Sequence, residues 1–261
     1  LLGTDYVYPR TTNKILEQYL KDKGIPAEDI FVNYTPFGHS DWSKIVADVV
    51  ALGADGKKVG VVSTINGDAN IGFYKELAAA NVSADKIPVV AFSVGEEELS
   101  GLDTSNLVGH LAAWNYFQSA DSEINDEFIK AWKARMGNKR VTNDPMEAHY
   151  IGFNMWVNAV KQAGTTKVDA VRTAMYGQKF PNLTGGMAEM LPNHHLSKPV
   201  LIGEIKADGQ FDIISQTEPV PGDAWTDFLA ESAVLKSDWK ELGCGMYNTK
   251  TKSCVQLKSN Y

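Results

Sequence analysis

The sequence predicts an α/β protein built on a parallel sheet with helices on both faces. Over the first 115 residues, short apolar segments alternate with segments whose apolar residues recur at helical spacing. The apolar segments are nearly continuous, as in strands that are covered on both faces. Strands that alternate with helices of this length form βαβ units with right-handed crossovers, which place the strands in one twisted parallel sheet.

Five strands and four helices are expected in this first part. The first strand ends before Pro9, whose ring favours the first turn of a helix, and this helix is expected to run to Gly24. Ser40 is expected to cap the second helix, and a short fourth helix is expected to begin near Gly95. The other strands are predicted at 29–34, 58–65, 88–92 and 106–113, and the third helix at 69–80.

The pattern changes after Ser119, where buried strands no longer separate the helices. Three helices are predicted, at 122–136, 145–164 and 168–176. The second of them is broadly apolar around Trp156 and needs a sheet to pack on, which the local sequence does not supply. A β-hairpin follows, with strands predicted at 199–206 and 210–216 and a turn that contains glycine. The segment 219–222 is predicted to be a stiff connector.

Composition excludes several classes of function. The net charge is −7 and no Lys/Arg cluster occurs, so nucleic acid is not an expected partner. No apolar run approaches the roughly 18 to 20 residues of a membrane span, so membrane insertion is not expected either. The histidines lack the spacing of metal ligands. We therefore predict neither a metal site nor another cofactor.

The two cysteines are Cys244 and Cys254, close together near the end of the sequence. A disulfide between them would stabilise the fold by about 2 to 3 kcal/mol and would suit an oxidising compartment such as a periplasm. The alternative is two free thiols. The sequence also begins within a strand and without Met, so we expect that further sequence lies upstream.

Hydrogen-bonding residues follow three of the predicted strands and mark the candidate binding site. Ligands of open parallel sheets collect beyond the carboxyl ends of the strands, so these residues are expected to converge. The candidate ligand-binding residues are Tyr6, Tyr8, Asn66, Gly67, Asp68, Ser93, Val94 and Glu96. Each tyrosine has the alternative of capping the core, Asp68 that of a helix N-cap, and Glu96 that of a charge at a helix N-terminus.

Six ordered segments resemble one branch of a known family. They are GTDYVYPRTTNKI, STINGDANIGFYKEL, FSVGEEELSGL, GHLAAWNYFQS, TNDPMEAHYIGFNMW and HHLSKPVLIGEIKADGQFDI. Together they are similar to the urea and short-chain-amide binding branch of the type I periplasmic binding proteins, the Leu/Ile/Val-binding family. The resemblance implies a bacterial periplasmic protein that is not an enzyme, binds a ligand between two lobes and delivers it to the permease of an ABC importer.

The resemblance also implies a division into lobes, one of which is incomplete here. Residues 1–116 and 221–261 correspond to the second, C-terminal lobe, and 117–220 to the returning part of the first, N-terminal lobe. The opening half of that first lobe has no counterpart in the sequence, which would explain why the helix around Trp156 has no sheet. Trp114, Asn115 and Tyr116 would lie where the chain crosses between lobes.

The chemistry of the candidate residues suits a small neutral amide. Urea offers two NH₂ groups and a carbonyl oxygen, so its pocket needs several acceptors and a few donors. Asp68, Glu96 and Asn66 can accept from NH₂ groups, and a tyrosine or the Ser93 hydroxyl can donate to the carbonyl. The only basic residue at the three strand ends is Arg10.

Three other functions are alternatives to a urea-binding transport protein. A cytoplasmic amide-sensing regulator would use the same fold, and a branched-chain amino acid binding protein belongs to the same family. An amidase would have to rely on Ser93 with Glu96. It is disfavoured because the sequence has no G-x-S-x-G elbow and no histidine beside a serine that would act as the base.

Overall fold

The structure is a computed structural model that describes residues 1–54, 56–223 and 226–230, and the backbone of 246–248 and 253–255. Its helices within these ranges are α1 (Val7–Asp22), α2 (Ser43–Leu52), α3 (Ala69–Ala79), α4 (Glu96–Leu99), α5 (Glu123–Met136), α6 (Asp144–Ala163) and α7 (Val168–Met175). Its strands are β1 (Leu2–Thr4), β2 (Asn33–Thr35), β3 (Val61–Thr64), β4 (Val89–Ala91), β5 (Leu111–Trp114), β6 (Lys179–Pro181), β7 (Met187–Met190), β8 (Leu196–Lys198), β9 (Leu201–Ile205), β10 (Phe211–Gln216), β11 (Val220–Pro221), β12 (Met246–Asn248) and β13 (Ser253–Val255). Short 3₁₀ helices span Ala27–Asp29 and Ser105–Leu107.

The main sheet has seven strands in the order β10-β9-β5-β4-β3-β1-β2. Strands β1 to β5 pair in parallel, and β9 and β10 extend the sheet at one edge as an antiparallel pair. Helices flank this sheet and connect its parallel strands in sequence. The α/β fold with a mostly parallel sheet is therefore confirmed.

Aromatic rings fill the core where α2 and α3 meet. Trp42, Phe73 and Tyr74 are each almost completely buried, and successive ring centroids lie 5.3 and 5.5 Å apart. A Cβ at Gly72 would lie 2.9 Å from the Trp42 ring, so this glycine allows the indole to approach α3 closely. Burial of each large side chain contributes about 1.5 to 3 kcal/mol, and the shared core fixes both helices on the sheet.

Helix α1 lies unusually close to the strands beneath it. It begins at Val7, two residues before the predicted start at Pro9, and Tyr8 therefore lies in its first turn. A Cβ at Gly3 would be 2.6 Å from Thr64 Oγ1 and 2.7 Å from Pro9 Cβ. Only a residue without a side chain fits there, and the close packing determines where the first turn of α1 meets the sheet.

A second, smaller sheet has the order β11-β8-β7-β6 and packs on α6. Ile151 and Met155 of α6 are fully buried and form one cluster with Ala188 and Met190 of β7. The expectation that no local sheet supports this helix was wrong for the face of Ile151 and Met155, whereas Phe153 and Trp156 are 63% and 44% exposed. The strands of the smaller sheet were missed because they are two to four residues long and three of the four carry a charged residue, so they lack the apolar run of a buried strand.

The hairpin of β9 and β10 belongs to the main sheet. The predicted division assigned 117–220 to the first lobe, but β9 pairs with β5 of the main sheet, Leu201 opposite Trp114. A Cβ at Gly203 would lie 2.9 Å from Phe211 and 3.0 Å from Phe117, so the glycine makes room for these two stacked rings. The lobe boundaries stay a prediction.

Several predicted element ends also change, and those of α2 and β5 are two examples. The N-cap position of α2 is Trp42 and not Ser40, and Asp41 accepts hydrogen bonds from both the backbone and the hydroxyl of Ser43. The strand predicted at 106–113 is shorter, because a 3₁₀ helix occupies its first residues. Both differences shorten elements without moving the ends that carry candidate site residues.

The predicted disulfide lies outside the described residues, since Cys244 is not among them and only the backbone of Cys254 is. That backbone belongs to β13, which pairs antiparallel with β12. Among the described helices, none is both long and apolar enough to cross a bilayer. Likewise, the part of the chain that the structure describes contains no group of three or more His, Cys, Asp or Glu side chains arranged to hold a metal ion.

Candidate functional site

The candidate site lies beyond the carboxyl ends of β1, β3 and β4, which follow one another in the main sheet. These parallel strands end at the same edge, and side chains that follow them are in contact. We call Tyr6, Tyr8, Asn66 and Ser93 the strand-end cluster. The convergence predicted from the sequence is therefore present for these residues.

Tyr8 connects α1 to the end of β4. Its hydroxyl oxygen lies 3.1 Å from the Ser93 hydroxyl oxygen in a partly buried position. Burial raises the pKa of Tyr8 above its usual range, so the phenol is protonated at neutral pH. One of the two hydroxyls donates to the other, and the hydrogen of the acceptor remains available to a further group.

Tyr6 is held in a similar way by Asn66 at the end of β3. The Asn66 side-chain amide donates to the Tyr6 hydroxyl, and the Asn66 backbone amide donates to Thr4 Oγ1 at 3.0 Å. Burial also raises the pKa of Tyr6. Because the Tyr6 oxygen accepts from Asn66, its own hydrogen is free to point elsewhere. Both tyrosines therefore present neutral hydroxyls at the strand ends.

Gly67 and Asp68 are exposed and form the turn into α3. Gly67 has a φ of 60°, in the left-handed region that favours glycine. Asp68 occupies the N-cap position of α3 but makes no capping hydrogen bond with its side chain. The interpretation of Asp68 as a side-chain N-cap was therefore wrong. Asp68 is exposed to solvent, and in the sequence it comes two residues after Asn66 of the strand-end cluster.

Val94 and Glu96 are buried beneath the surface instead of lying on it. The carboxyl of Glu96 accepts a hydrogen bond from the Ser119 backbone amide at 3.3 Å, and burial raises its pKa to about 8. The carboxyl is therefore mostly protonated at neutral pH. Glu96 is not a solvated charge at the helix N-terminus, whereas Glu98 does cap α4 by accepting from the Gly95 amide at 2.8 Å.

Two residues near the strand-end cluster were missed. Asn70 is fully buried and donates to the carbonyl oxygens of Ile65 at 2.8 Å and Ser93 at 3.3 Å, which ties the end of β3 to that of β4. Phe37 follows β2 and packs on Tyr6 with ring centroids 4.9 Å apart. The strand-end rule applies to β2 as well, but an apolar residue after Thr35 and Pro36 gave no polar signal.

A basic side chain near the cluster is engaged in an ion pair. Arg10 Nε lies 2.6 Å from Asp5 Oδ1, and its guanidinium lies over the Tyr34 ring at 4.9 Å from the centroid. The charge of Arg10 is thus balanced by an adjacent carboxylate. The groups of the strand-end cluster itself are two phenols, one amide and one alcohol, all of them uncharged.

A separate buried charge cluster lies where the chain leaves and re-enters the main sheet. Lys198 is 7% exposed and hydrogen-bonds Glu147, which is completely buried. Asp144 accepts from the Asn115 amide at 3.0 Å, and Asn115 donates to the Pro199 carbonyl at 2.8 Å. Burial raises the pKa of Asp144 to about 6 and that of Glu147 to about 7, and Lys198 opposes both shifts.

Comparison with known proteins identifies a family that matches most of the chain. A family described as "Periplasmic binding protein domain" matches residues 1–231. A curated protein named limonene hydroxylase, from Geobacillus stearothermophilus, is 34% identical over 134 residues, which are 51% of this chain and 24% of that protein. This second match is confined to about half of the sequence.

Solved structures with the same fold are substrate-binding proteins by their titles. An amino acid ABC transporter substrate-binding protein from Pseudomonas fluorescens Pf-5 is 18% identical, with a TM-score of 0.68 over 84% of this chain and 59% of that one. A solute-binding protein from Rhodopseudomonas palustris HaA2, in complex with p-hydroxybenzoic acid, is 17% identical with a TM-score of 0.72 over 84% and 60%. A branched-chain amino acid ABC transporter ligand-binding protein from Burkholderia xenovorans LB400 is 18% identical with a TM-score of 0.65 over 84% and 58%. The chain thus spans about 60% of the length of these structures and 24% of the curated relative.

Proposed function

The chain belongs to the periplasmic binding protein family, and from this premise we propose that it captures urea or a short-chain amide in the bacterial periplasm. The ligand would then be delivered to the permease of an ABC importer. The protein would need no cofactor and would catalyse no reaction. The curated relative named limonene hydroxylase does not alter this proposal, because it matches only 51% of the chain.

The observation that carries the proposal is the neutrality of the strand-end cluster. Tyr6 is paired with Asn66, and Tyr8 with Ser93, so every hydrogen-bonding group there is uncharged. A ligand carboxylate would call for a cation or several aligned donors, and Arg10 is already paired with Asp5. An uncharged amide needs only neutral donors and acceptors.

The two hydroxyl pairs supply the donors for such a ligand. The Tyr6 hydroxyl accepts from Asn66, so its hydrogen can be given to the ligand carbonyl oxygen. The second hydrogen comes from the pair of Tyr8 and Ser93. The exposed carboxylate of Asp68 would accept from the ligand NH₂ group. This assignment gives each edge of a planar amide a partner.

The other candidate residues would shape the site from below. Gly67 would leave space beside the ligand, because nothing lies within 4 Å of the position its Cβ would take. Val94 and Glu96, both buried, would support the floor under Ser93. The proposed ligand-binding set thus remains Tyr6, Tyr8, Asn66, Gly67, Asp68, Ser93, Val94 and Glu96, with Val94 and Glu96 in a supporting role.

We further propose that the ligand is enclosed between two lobes. Residues 1–116 with 221–261 would form one lobe, to which the hairpin of β9 and β10 adds two strands. The rest of 117–220 would belong to the other. A ligand that contacts both lobes only when they are closed would favour closure, which the permease could then recognise.

Titration of the chain with urea, acetamide and leucine tests the proposal. We expect chemical-shift changes in the tyrosine ring signals with urea and acetamide, and weaker binding after Tyr6→Phe or Ser93→Ala. Tyr19→Phe, on α1 but away from the cluster, is the matched control. Binding of leucine without binding of either amide would favour a branched-chain amino acid binding protein, to which the fold likeness with the Burkholderia xenovorans protein applies equally.

A further inference from the structure

An aromatic row extends the strand-end cluster toward solvent at the end of β2. The ring centroids of Tyr8 and Tyr6 lie 6.1 Å apart, and those of Tyr6 and Phe37 lie 4.9 Å apart. The first two rings carry hydroxyls that are hydrogen-bonded to Ser93 and Asn66. The third ring carries no polar atom. The row is thus polar at one end and apolar at the other.

Phe37 is the most exposed of these rings, with 65% of its surface accessible. A second exposed phenylalanine, Phe31, is 55% exposed but precedes β2, at the opposite end of the same strand. Phe31 and Phe37 are therefore both exposed phenylalanines, and they differ in which end of β2 they lie at. Only Phe37 continues the row of rings beside the polar pairs of the candidate site.

We propose that Phe37 is a specificity-determining residue that contacts the apolar end of the ligand. This inference rests on the proposed function of the same site. An amide whose carbonyl oxygen accepts from Tyr6 would direct its remaining substituent along the row, toward the ring of Phe37. Urea has an NH₂ group at that position and gains nothing from an apolar surface. An alkyl group there loses contact with water and gains contact with the ring.

The consequence is a preference that grows with the length of the alkyl group. Each methylene group buried against an apolar surface strengthens binding about fourfold. Butyramide has two more methylene groups than acetamide, so the wild-type chain is expected to bind it about fifteenfold more tightly. Urea is expected to bind more weakly than either amide.

The test compares dissociation constants of urea, acetamide and butyramide by titration of the aromatic ring signals of the chain. In Phe37→Ala, the ratio between acetamide and butyramide should fall from about fifteenfold to about threefold or less. Phe37→Leu keeps an apolar surface and should retain most of the ratio. Phe31→Ala, the matched control, should keep the wild-type ratio.

Three outcomes would overturn the inference, and each can be told from the others. If Phe37 only holds Tyr6 in place, Phe37→Ala weakens all ligands by the same factor and leaves the ratio unchanged. If the wild-type chain binds urea as tightly as butyramide, no apolar contact contributes. If the wild-type chain binds neither amide nor urea but does bind leucine, the proposed function itself is wrong and the role of Phe37 falls with it.

Discussion

The hydroxyl of Tyr8 lies 3.1 Å from that of Ser93, and this contact joins the ends of two strands that are not neighbours. Strand β3 lies between β1, which leads into Tyr8, and β4, which precedes Ser93. The bond therefore spans a whole strand and fixes the first turn of α1 against the far side of the site. A shift of α1 would therefore also move the hydroxyl of Tyr8 relative to that of Ser93.

Removal of either hydroxyl should reveal this coupling in stability. We expect Tyr8→Phe and Ser93→Ala each to lower the free energy of unfolding by about 0.5 to 1.5 kcal/mol, since a net hydrogen bond contributes that much. The double variant should lose less than the sum, because both changes remove the same bond. Guanidinium chloride is the suitable denaturant, since urea is a proposed ligand. Additive losses would contradict the contact, and Tyr19→Phe controls for loss of a phenol on α1.

The buried ion pair of Lys198 should be sensitive to loss of its cation. Lys198→Met leaves Glu147, which is completely buried, and Asp144 without a balancing charge. At pH 8 we expect a loss of about 3 to 5 kcal/mol in the free energy of unfolding. At pH 5 the loss should be smaller, because both raised pKa values leave the carboxyls protonated.

The control for this prediction is Lys179→Met, which removes an exposed pair with Glu189. An exposed ion pair contributes about 0 to 1 kcal/mol, so this variant should remain close to wild type at both pH values. An equal loss at pH 5 and pH 8 in Lys198→Met would indicate that the lysine acts through packing of its alkyl chain alone.

Glu96 should make the protein less stable as the pH rises. Its pKa is raised from 4.5 to about 8 by burial, so the folded state keeps a proton that the unfolded chain releases above 4.5. The resulting stabilisation is fully present at low pH and is lost between about pH 4.5 and 8. In Glu96→Gln, the slope of unfolding free energy against pH should become shallower in this window, by at most about 1.4 kcal/mol per pH unit.

Denaturation at several pH values measures this slope. Glu97→Gln is the matched control, because Glu97 is the next residue and forms an exposed pair with Arg140 at 3.1 Å. Its pH dependence should follow that of the wild-type protein. A wild-type slope retained in Glu96→Gln would mean that other groups, such as Asp144 and Glu147, carry the whole effect.

A side chain at Gly3 should displace α1. In Gly3→Ala the new Cβ would lie 2.6 Å from Thr64 Oγ1 and 2.7 Å from Pro9 Cβ, both shorter than any ordinary contact. We expect a loss of about 1 to 3 kcal/mol in the free energy of unfolding and weaker amide binding, because Tyr8 moves with the helix. Gly60→Ala is the control: its Cβ would meet only Pro88 O, at 3.8 Å, so it should be nearly neutral.

Much of the main sheet could be predicted because its strands are buried on both faces. Val61 and Val62 of β3 and all of 89–91 are apolar whatever the direction of their side chains, and that pattern is visible in sequence. The short strands of the smaller sheet have one buried face and charged residues such as Glu189 on the other. Over so few residues, the alternation of apolar and polar residues in such a strand cannot be distinguished from the sequence of a polar loop.

At the candidate site too, some properties could be predicted from neighbouring residues in the sequence, and others depend on distant segments of the chain. Position at a strand end is encoded locally, so Tyr8, Asn66 and Ser93 could be identified before the structure was known. Burial is decided by distant segments, so the hydrogen bond from Ser119 to Glu96 left no trace near Glu96. Likewise, Gly203 leaves room for the rings of Phe211 and Phe117, which the local sequence of β9 does not indicate.

The pairing of phenol with amide and of phenol with alcohol in the strand-end cluster has a consequence for the medium in which the protein works. Mobile ions screen forces between net charges, but they hardly weaken a short hydrogen bond between neutral groups. If the proposed neutral ligand is held by Tyr6 and Tyr8 through such bonds, its affinity would be nearly the same at low and at high salt concentration. Capture by this site would therefore be largely indifferent to ionic strength.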